Sequence, residues 1–358
     1  MLNLSQCRPC HLAKNNHHLS DTLVPKGKRC LEKQSMKRIN NIFNKIISID
    51  NLRLADAKAQ KGKSKQYGVL LHNSNKEANI QQLHELLLSK KYKTSQYSKF
   101  KVYDPKEREV FRLPYFPDRI THHTIMNVLE PIFVSSFTVD TYSCIKKRGI
   151  HAAANSVREA LKNEGATKYC LKLDITKFYP SINHDILKLL LRRKFKDNDL
   201  LWLLDEIIDS AEGLPIGNYL SQYLSNFYLT YFDHWIKETK RVKYYFRYAD
   251  DIVILANDKS YLHDLFNEMS AYLSNELDLK VKGNYQIFPV SDTNGRGIDF
   301  VGYVFYHTHT LMRKSIKQSF ARMLKKNPKP ASIASYMGWA KHCNSNHLLK
   351  KLLSDEQL

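Results

Sequence analysis

The chain has 358 residues, 43% hydrophobic and 11% aromatic, with 56 Lys and Arg against 35 Asp and Glu for a formal charge of +21. That composition excludes a wholly disordered chain, and no run of about 18 uncharged apolar residues offers a membrane span, so a soluble protein of two or three packed units is expected. The basic excess is spread along the chain and points to a polyanion, for which nucleic acid is the usual candidate; no strongly apolar amphipathic stretch would anchor it to an anionic membrane instead.

Six cysteines are too few for a dense disulfide framework, and no apolar secretory signal opens the chain, which fits a reducing cytoplasm. Residues 1–35 lack periodicity. They carry Cys7, Cys10, His11, His17, His18 and Cys30, donors for zinc, but the set has no second close-spaced pair and argues against a structural zinc site. Met36 opens a better-patterned segment and is a candidate start. Ile39, Ile42, Phe43, Ile46 and Ile47 stand at helical spacing up to about Leu54, a basic connection follows over 58–65, and a second helix is predicted over about 79–90.

Residues 92–103, YKTSQYSKFKVY, interleave aromatic and basic side chains, as would suit a strand facing a phosphate backbone or an ordinary exposed edge. Next, Lys106, Arg108, Arg112 and Arg119 crowd near prolines that fix turns. Such a cluster can clamp a triphosphate or a template strand, or can be a solvated face. Helical spacing covers 120–136 and 151–163, and 167–174 reads as a strand ending on Asp174. A helix capped by Ser or Asn runs from about Ser181 to Arg193, with another over 199–211. After the turn Gly213 to Gly217, one long helix is predicted over about 219–240. Lys243 to Ala256, KYYFRYADDIVILA, is a hairpin with Asp250 and Asp251 at its tip. A helix over 259–276, strands over 277–290 and 298–307, and two or three basic helices from Lys314 complete the chain.

An isolated Asp-Asp is commonly a solvated turn. Asp174 changes that reading, because a strand end and a hairpin tip become neighbours when the two elements pair in one sheet. Three carboxylates then converge, and adjacent ionised acids at a buried tip call for a cation. In-line phosphoryl transfer uses such acids to bridge a pair of Mg²⁺ ions about 3.5–4 Å apart. Asp174 and Asp250 are the candidate bridging ligands. Asp251 follows, its oxygens turned partly away because successive strand residues alternate sides.

LKLDITKFYPSI, GLPIGNYLSQ, YFRYADDIVIL and GIDFVGY resemble the palm motifs A, B, C and E of reverse transcriptases in order and spacing, over a stretch from about Lys101 to the C-terminus. Any one match would be weak; four in order are specific. The resemblance implies an α/β, more strictly α+β, right-hand polymerase. Its parts would be N-terminal helices and fingers over 36–166, a palm over 167–307 with an antiparallel sheet packed on helices, and a basic helical thumb over 308–358. It implies that Asp174, Asp250 and Asp251 bind two Mg²⁺ ions, replaceable by Mn²⁺, with the Ile175 carbonyl contributing. Tyr179 matches the bulky gate against a 2′-hydroxyl, although a core aromatic is the bland alternative. Lys106 and Arg108 match the finger residues that hold the incoming triphosphate.

Motif B departs from the common pattern of Gln-Gly leading to Ser-Pro. Here Ile216-Gly217 precedes Ser221-Gln222, which removes an amide that could contact nucleotide or template and predicts lower fidelity. Ile216, Gly217 and Gln222 are therefore candidate nucleotide-site residues. The IGxxxSQ form resembles reverse transcriptases of diversity-generating retroelements, which copy a template-repeat RNA with errors at adenines. A motif D lysine is not fixed by the sequence: Lys280 and Lys282 both qualify.

From Met312 the chain reads as thumb helices whose cations, Lys314 and Lys317 among them, join Arg112 and Arg119 as candidate contacts to the nucleic-acid backbone; Trp339 reads as core. The leading expectation is an RNA-directed DNA polymerase in a diversity-generating retroelement. Its partners would be an RNA template, a DNA primer or cDNA, dNTPs and a small basic accessory protein. The alternatives are the same polymerase in antiphage defence with a non-coding RNA, and an inactive nucleic-acid-binding protein of the same fold.

Overall fold

The computed structural model describes residues 38–103, 107–326 and 329–354. The first apolar stretch, read as one helix from sequence, is two. α1 (Phe43–Ile47) stops at Ser48, whose hydroxyl accepts the Asn51 N–H and starts α2 (Ile49–Gln60), so that the beginning of the expected basic connection, through Gln60, is helical. α3 (Tyr67–Ser74), which apolar spacing does not announce, leads to α4 (Lys76–Leu88). Asp56 is fully buried among these helices, taking the Tyr115 hydroxyl at 2.5 Å with Lys76 Nζ at 2.8 Å and His72 Nε2 at 3.2 Å.

Of the strand expected over 92–103 only β1 (Ser98–Tyr103) pairs. It forms with β2 (Glu107–Arg112) an antiparallel hairpin exposed along most of its length. α5 (Ile120–Ser136) and α6 (Ile150–Leu161) fall where helical spacing places them, and β3 (Tyr169–Asp174) ends on its acid. α7 (His184–Lys194) is capped by Asn183 and not by Ser181: Asn183 Oδ1 accepts the N–H groups of Asp185 and Ile186 at 3.0 and 3.3 Å. α8 (Asn198–Ile208) is capped by Asp197, whose other oxygen takes the Ile42 and Phe43 N–H groups at 2.7 and 2.9 Å and ties α1 to it.

The long helix expected over 219–240 is interrupted. α9 (Tyr219–Tyr228) and α10 (Thr230–His234) meet at Leu229, where the Thr230 hydroxyl bonds the Asn226 carbonyl at 3.1 Å and competes with the helix ladder; a π-helical turn follows over Trp235–Thr239. β4 (Tyr244–Tyr248) and β5 (Asp251–Ala256) form the acidic hairpin, α11 (Lys259–Leu277) starts on the Asp258 cap, and β6 (Gln286–Pro289) closes the sheet. The single strand expected over 298–307 is folded back at Val301 and Gly302, both at positive φ. It gives β7 (Ile298–Phe300) and β8 (Tyr303–Phe305), joined by β9 (Thr310–Met312) in a small second sheet. α12 (Lys314–Leu324), α13 (Pro330–Ala340) and α14 (Asn346–Ser354) follow.

The main sheet runs β4-β5-β3-β6, antiparallel throughout. The strand period of two assigns its faces. Leu171, Leu173, Tyr245, Ile252 and Ile254 pack with the helices in the larger apolar core, while Cys170, Phe246, Val253 and Leu255 join Phe300, Tyr303 and Phe305 in a second. Each large apolar side chain so buried contributes about 2 kcal/mol. Trp339 packs against this second core with its ring 5.3 Å from that of Tyr303. Among the described residues no helix is long and apolar enough to cross a membrane.

Candidate active site

β3 and β5 are paired so that Asp174 lies directly opposite Asp251, and the Ile175 N–H donates to the Asp250 carbonyl at 3.3 Å where the ladder ends. The β4–β5 turn is made by Ala249, at φ 53°, and Asp250. Asp250 stands in the turn just before β5, and the register puts Asp251, expected to turn partly away, on the same side of the sheet as Asp174. The three acids are thus gathered at one end of two strands.

Their electrostatics follow from this crowding. Burial, then the charge on Asp174, holds the Asp250 carboxyl above the usual range, with Lys282 and Arg108 opposing. Burial pushes Asp251 up to about 7; Lys172 opposes, and Asp174 and Asp250 add to the rise. Asp251 Oδ1 is buried without a hydrogen-bond partner, and its Oδ2 lies 3.8 Å from Lys172 Nζ. Lys282 donates its backbone N–H to the Asp174 carbonyl at 2.8 Å and pairs its ammonium with the Asp174 carboxylate. Lys280, the other candidate for motif D, offers its backbone carbonyl to Thr176 at 2.8 Å.

Hard carboxylate oxygens, one of them unpartnered, in a cluster whose Asp250 and Asp251 resist ionising are a donor set that fits a divalent cation of the Mg²⁺ type. Among the described residues no three His, Cys, Asp or Glu side chains are arranged around a common metal position, and the cationic charge against Asp174 is that of Lys282.

Tyr179 stands half-buried beyond β3, its ring 5.6 Å from that of Phe178. Burial raises its phenol, the Ser225 hydroxyl opposes, and the charge of Asp250 adds to the rise, so Asp250 and Tyr179 feel one another. Its carbonyl takes the Leu214 N–H at 2.9 Å. Gly213, at φ 58°, lets this turn approach, since a Cβ there would stand 2.6 Å from the Tyr179 oxygen. The same turn is clasped from the other side: Phe111 of β2 donates its N–H to the Ile216 carbonyl at 2.8 Å, and a Cβ on Gly217, at φ 120°, would stand 2.3 Å from the Phe111 oxygen.

Ile216 is half-buried and Gln222 is exposed on α9. Arg108 is exposed on β2, near enough for its charge to act on Asp250. Lys106 lies outside the described residues, as do Cys7, Cys10, His11, His17, His18 and Cys30. Arg112 is exposed at the end of β2 and Arg119 half-buried before α5. Burial lowers the Arg119 pKa, nearby Tyr115 opposes and Arg112 adds to the fall, so the two cations lie close together. Lys314 and Lys317 are exposed on α12, and no bond or ion pair joins them to the acids among the described residues. Two residues at the site escaped sequence reasoning, Lys172 and Arg247. The signal for each was a cation inside an otherwise apolar strand, Lys172 on the face of Asp174 and Arg247 on the inward face of β4.

Comparison with known proteins agrees with this geometry. Over 277 residues the chain is 25% identical to the protein YkfC of Escherichia coli strain K12, a span of 64% of this chain and 70% of that protein. It is also 25% identical to the Retron Ec73 reverse transcriptase of Escherichia coli, over 58% of this chain and 71% of the relative. The solved telomerase of Candida tropicalis with a fragment of telomeric RNA is a distant likeness, 11% identical at a TM-score of 0.48 over 72% of this chain. This chain spans about half the length of the telomerase chains. The profile of the reverse transcriptase (RNA-dependent DNA polymerase) family matches residues 104–284, half of the chain, a span that takes in β2, the three acids and Lys282. The chain belongs to that family, and its mixed helices and strands around an antiparallel central sheet agree with the α+β class expected from the sequence.

Proposed function

We propose that this chain is an RNA-directed DNA polymerase that extends a primer on an RNA template, with fingers over 36–166, palm over 167–307 and thumb over 308–358. The observation that carries the reading is the meeting of Asp174, Asp250 and Asp251 at one end of β3 and β5, with a buried carboxylate oxygen left unpartnered. Two Mg²⁺ ions, or Mn²⁺ in their place, held by these acids and the Ile175 carbonyl, would activate the primer 3′-oxygen and neutralise the leaving pyrophosphate. Arg108 and Lys106 would bind the triphosphate of the incoming nucleotide, and the pairing of the Lys282 ammonium with Asp174 supports Lys282 over Lys280 as the donor of a proton to pyrophosphate. The ring edge of Tyr179 excludes a ribose 2′-hydroxyl. Ile216, Gly217 and Gln222 face the nascent pair, and Arg112, Arg119, Lys314 and Lys317 contact backbone phosphates.

The test is Mg²⁺-dependent extension of a DNA primer on RNA by the full chain, abolished in Asp250→Ala. Extension that persists in the variant overturns the reading, and binding without any incorporation would favour an inactive nucleic-acid-binding protein.

For biological role, motif B with Ile216 supports error-prone copying of a template-repeat RNA in a diversity-generating retroelement, in the cytoplasm and with a small basic accessory protein. The match to a retron reverse transcriptase favours a second reading, a polymerase working on its own non-coding RNA in antiphage defence. Near-identical repeats differing at adenines beside the gene belong only to the first.

A further inference from the structure

Arg247 is fully buried, and its register opposite Ile252 turns it toward the helices while Phe246 and Tyr248 face the other way. A guanidinium in such a place is costly unless its N–H groups are met. Nε and Nη2 donate to the two oxygens of Asp233 at 2.8 and 2.5 Å, and Nη1 donates to Asn226 Oδ1 at 3.1 Å and to the Ala249 carbonyl at 3.0 Å. Asp233 also receives the Tyr245 hydroxyl at 2.6 Å and the Thr141 hydroxyl at 3.1 Å. The backbone of Arg247 is fixed too, giving its N–H to Asp140 and accepting that of Tyr142, each at 3.0 Å.

The ion pair with Asp233 accounts for the charge but not for the reach of Nη1 to Ala249. Ala249 sits at φ 53°, a left-handed conformation that an alanine avoids, and the next residue is Asp250. Of the interactions described, only the Nη1 bond grips that carbonyl from the helix side. Its second acceptor, Asn226, lies on α9, the helix that also bears Gln222 and Ser225.

We propose that Arg247 is the positioning residue of the acidic turn: it holds the Ala249 carbonyl in the left-handed arrangement, fixes where Asp250 and Asp251 present their oxygens, and ties that turn to α9. Its consequence for catalysis rests on the polymerase reading. Its hold on the turn is a property of the protein without metal or substrate.

The experiment uses the full chain and Arg247→Lys, which keeps a cation beside Asp233 but lacks the planar fork that spans Asp233, Asn226 and Ala249 together. The metal-free readout is hydrogen exchange at the Ile175 amide, which bonds the Asp250 carbonyl. Exchange should quicken by about tenfold and primer extension should lose about tenfold in kcat with little change in KM for dNTP. Adding Ala249→Gly, which removes the left-handed penalty, should recover about fivefold of both without restoring the thermal midpoint. Recovery of this kind distinguishes a hold on the turn from a general loss of core stability. Unchanged Ile175 exchange in Arg247→Lys, or no recovery with Ala249→Gly, overturns the proposal. If Arg247→Lys does not fold, Asn226→Ala leaves the Asp233 pair in place and must still quicken Ile175 exchange; unaltered exchange there also overturns it. Because exchange is read without turnover, a chain that never extended a primer would fail the polymerase reading and leave this test standing.

Discussion

Asp174 and Asp251 are directly opposed across the β3–β5 ladder, two acids on one side of the sheet with Lys172 3.8 Å from the second. Facing like charges destabilise a strand pair. Asp251 at about 7, and Asp250 above its usual value, keep protons that the unfolded chain releases near pH 4. Their penalty is absent below that pH and grows as pH rises to about 7, so the metal-free protein should lose stability between pH 5 and pH 8. Asp251→Asn should flatten that slope and exceed the native chain at pH 8 by about 1 kcal/mol. Urea melts at both pH values check this, and Mg²⁺ should raise the native midpoint at pH 8 as a ligand of the folded state.

Gly217→Ala puts a Cβ where the Phe111 oxygen already stands, at a φ of 120° that alanine resists. We expect a loss of about 2 kcal/mol, faster exchange of the Phe111 amide and a raised KM for dNTP, because the released hairpin carries Arg108. Thermal melts and steady-state extension separate the two effects.

Tyr179→Val should lower the preference for dNTP over rNTP, as a ratio of kcat/KM, by about tenfold or more. The ring is half-buried, so some stability will be lost too. A melt that drops with an unchanged nucleotide preference would mark Tyr179 as a packing residue alone.

Ile216→Gln leaves the backbone bond from Phe111 to the residue 216 carbonyl untouched and changes only the side chain. If the missing amide lowers fidelity, sequencing of the cDNA will show fewer errors at adenines. An unaltered error spectrum would remove the link between this position and mutagenesis.

The acidic cluster was legible because strand ends and hairpin tips have few places to go: Asp174 closing an apolar run and Asp250 in a YADD turn can meet only if β3 and β5 pair, as they do. Helices with unbroken apolar spacing, such as α5 and α11, were equally readable. What failed depended on single side chains acting on backbone. Ser48 divides α1 from α2, the Thr230 hydroxyl interrupts the helix after α9, and positive φ at Val301 and Gly302 folds one expected strand into two. Lys172 and Arg247 stayed hidden for a related reason: strand alternation gives the side a residue faces, but the carboxylates that receive it lie on other elements, Asp251 on β5 and Asp233 on α10.

The central place of β3 in the sheet also bears on how the protein is made. Both neighbours of β3 come later in the sequence, β5 ending at Ala256 and β6 at Pro289, so during synthesis it emerges with neither edge paired. Such non-local pairing is slow and leaves an apolar strand open to other chains meanwhile. A nascent chain therefore cannot gather its acids until β5, through Ala256, has left the ribosome, β3 keeps one open edge until β6 follows, and a product truncated before β5 would expose a sticky edge without its acid cluster.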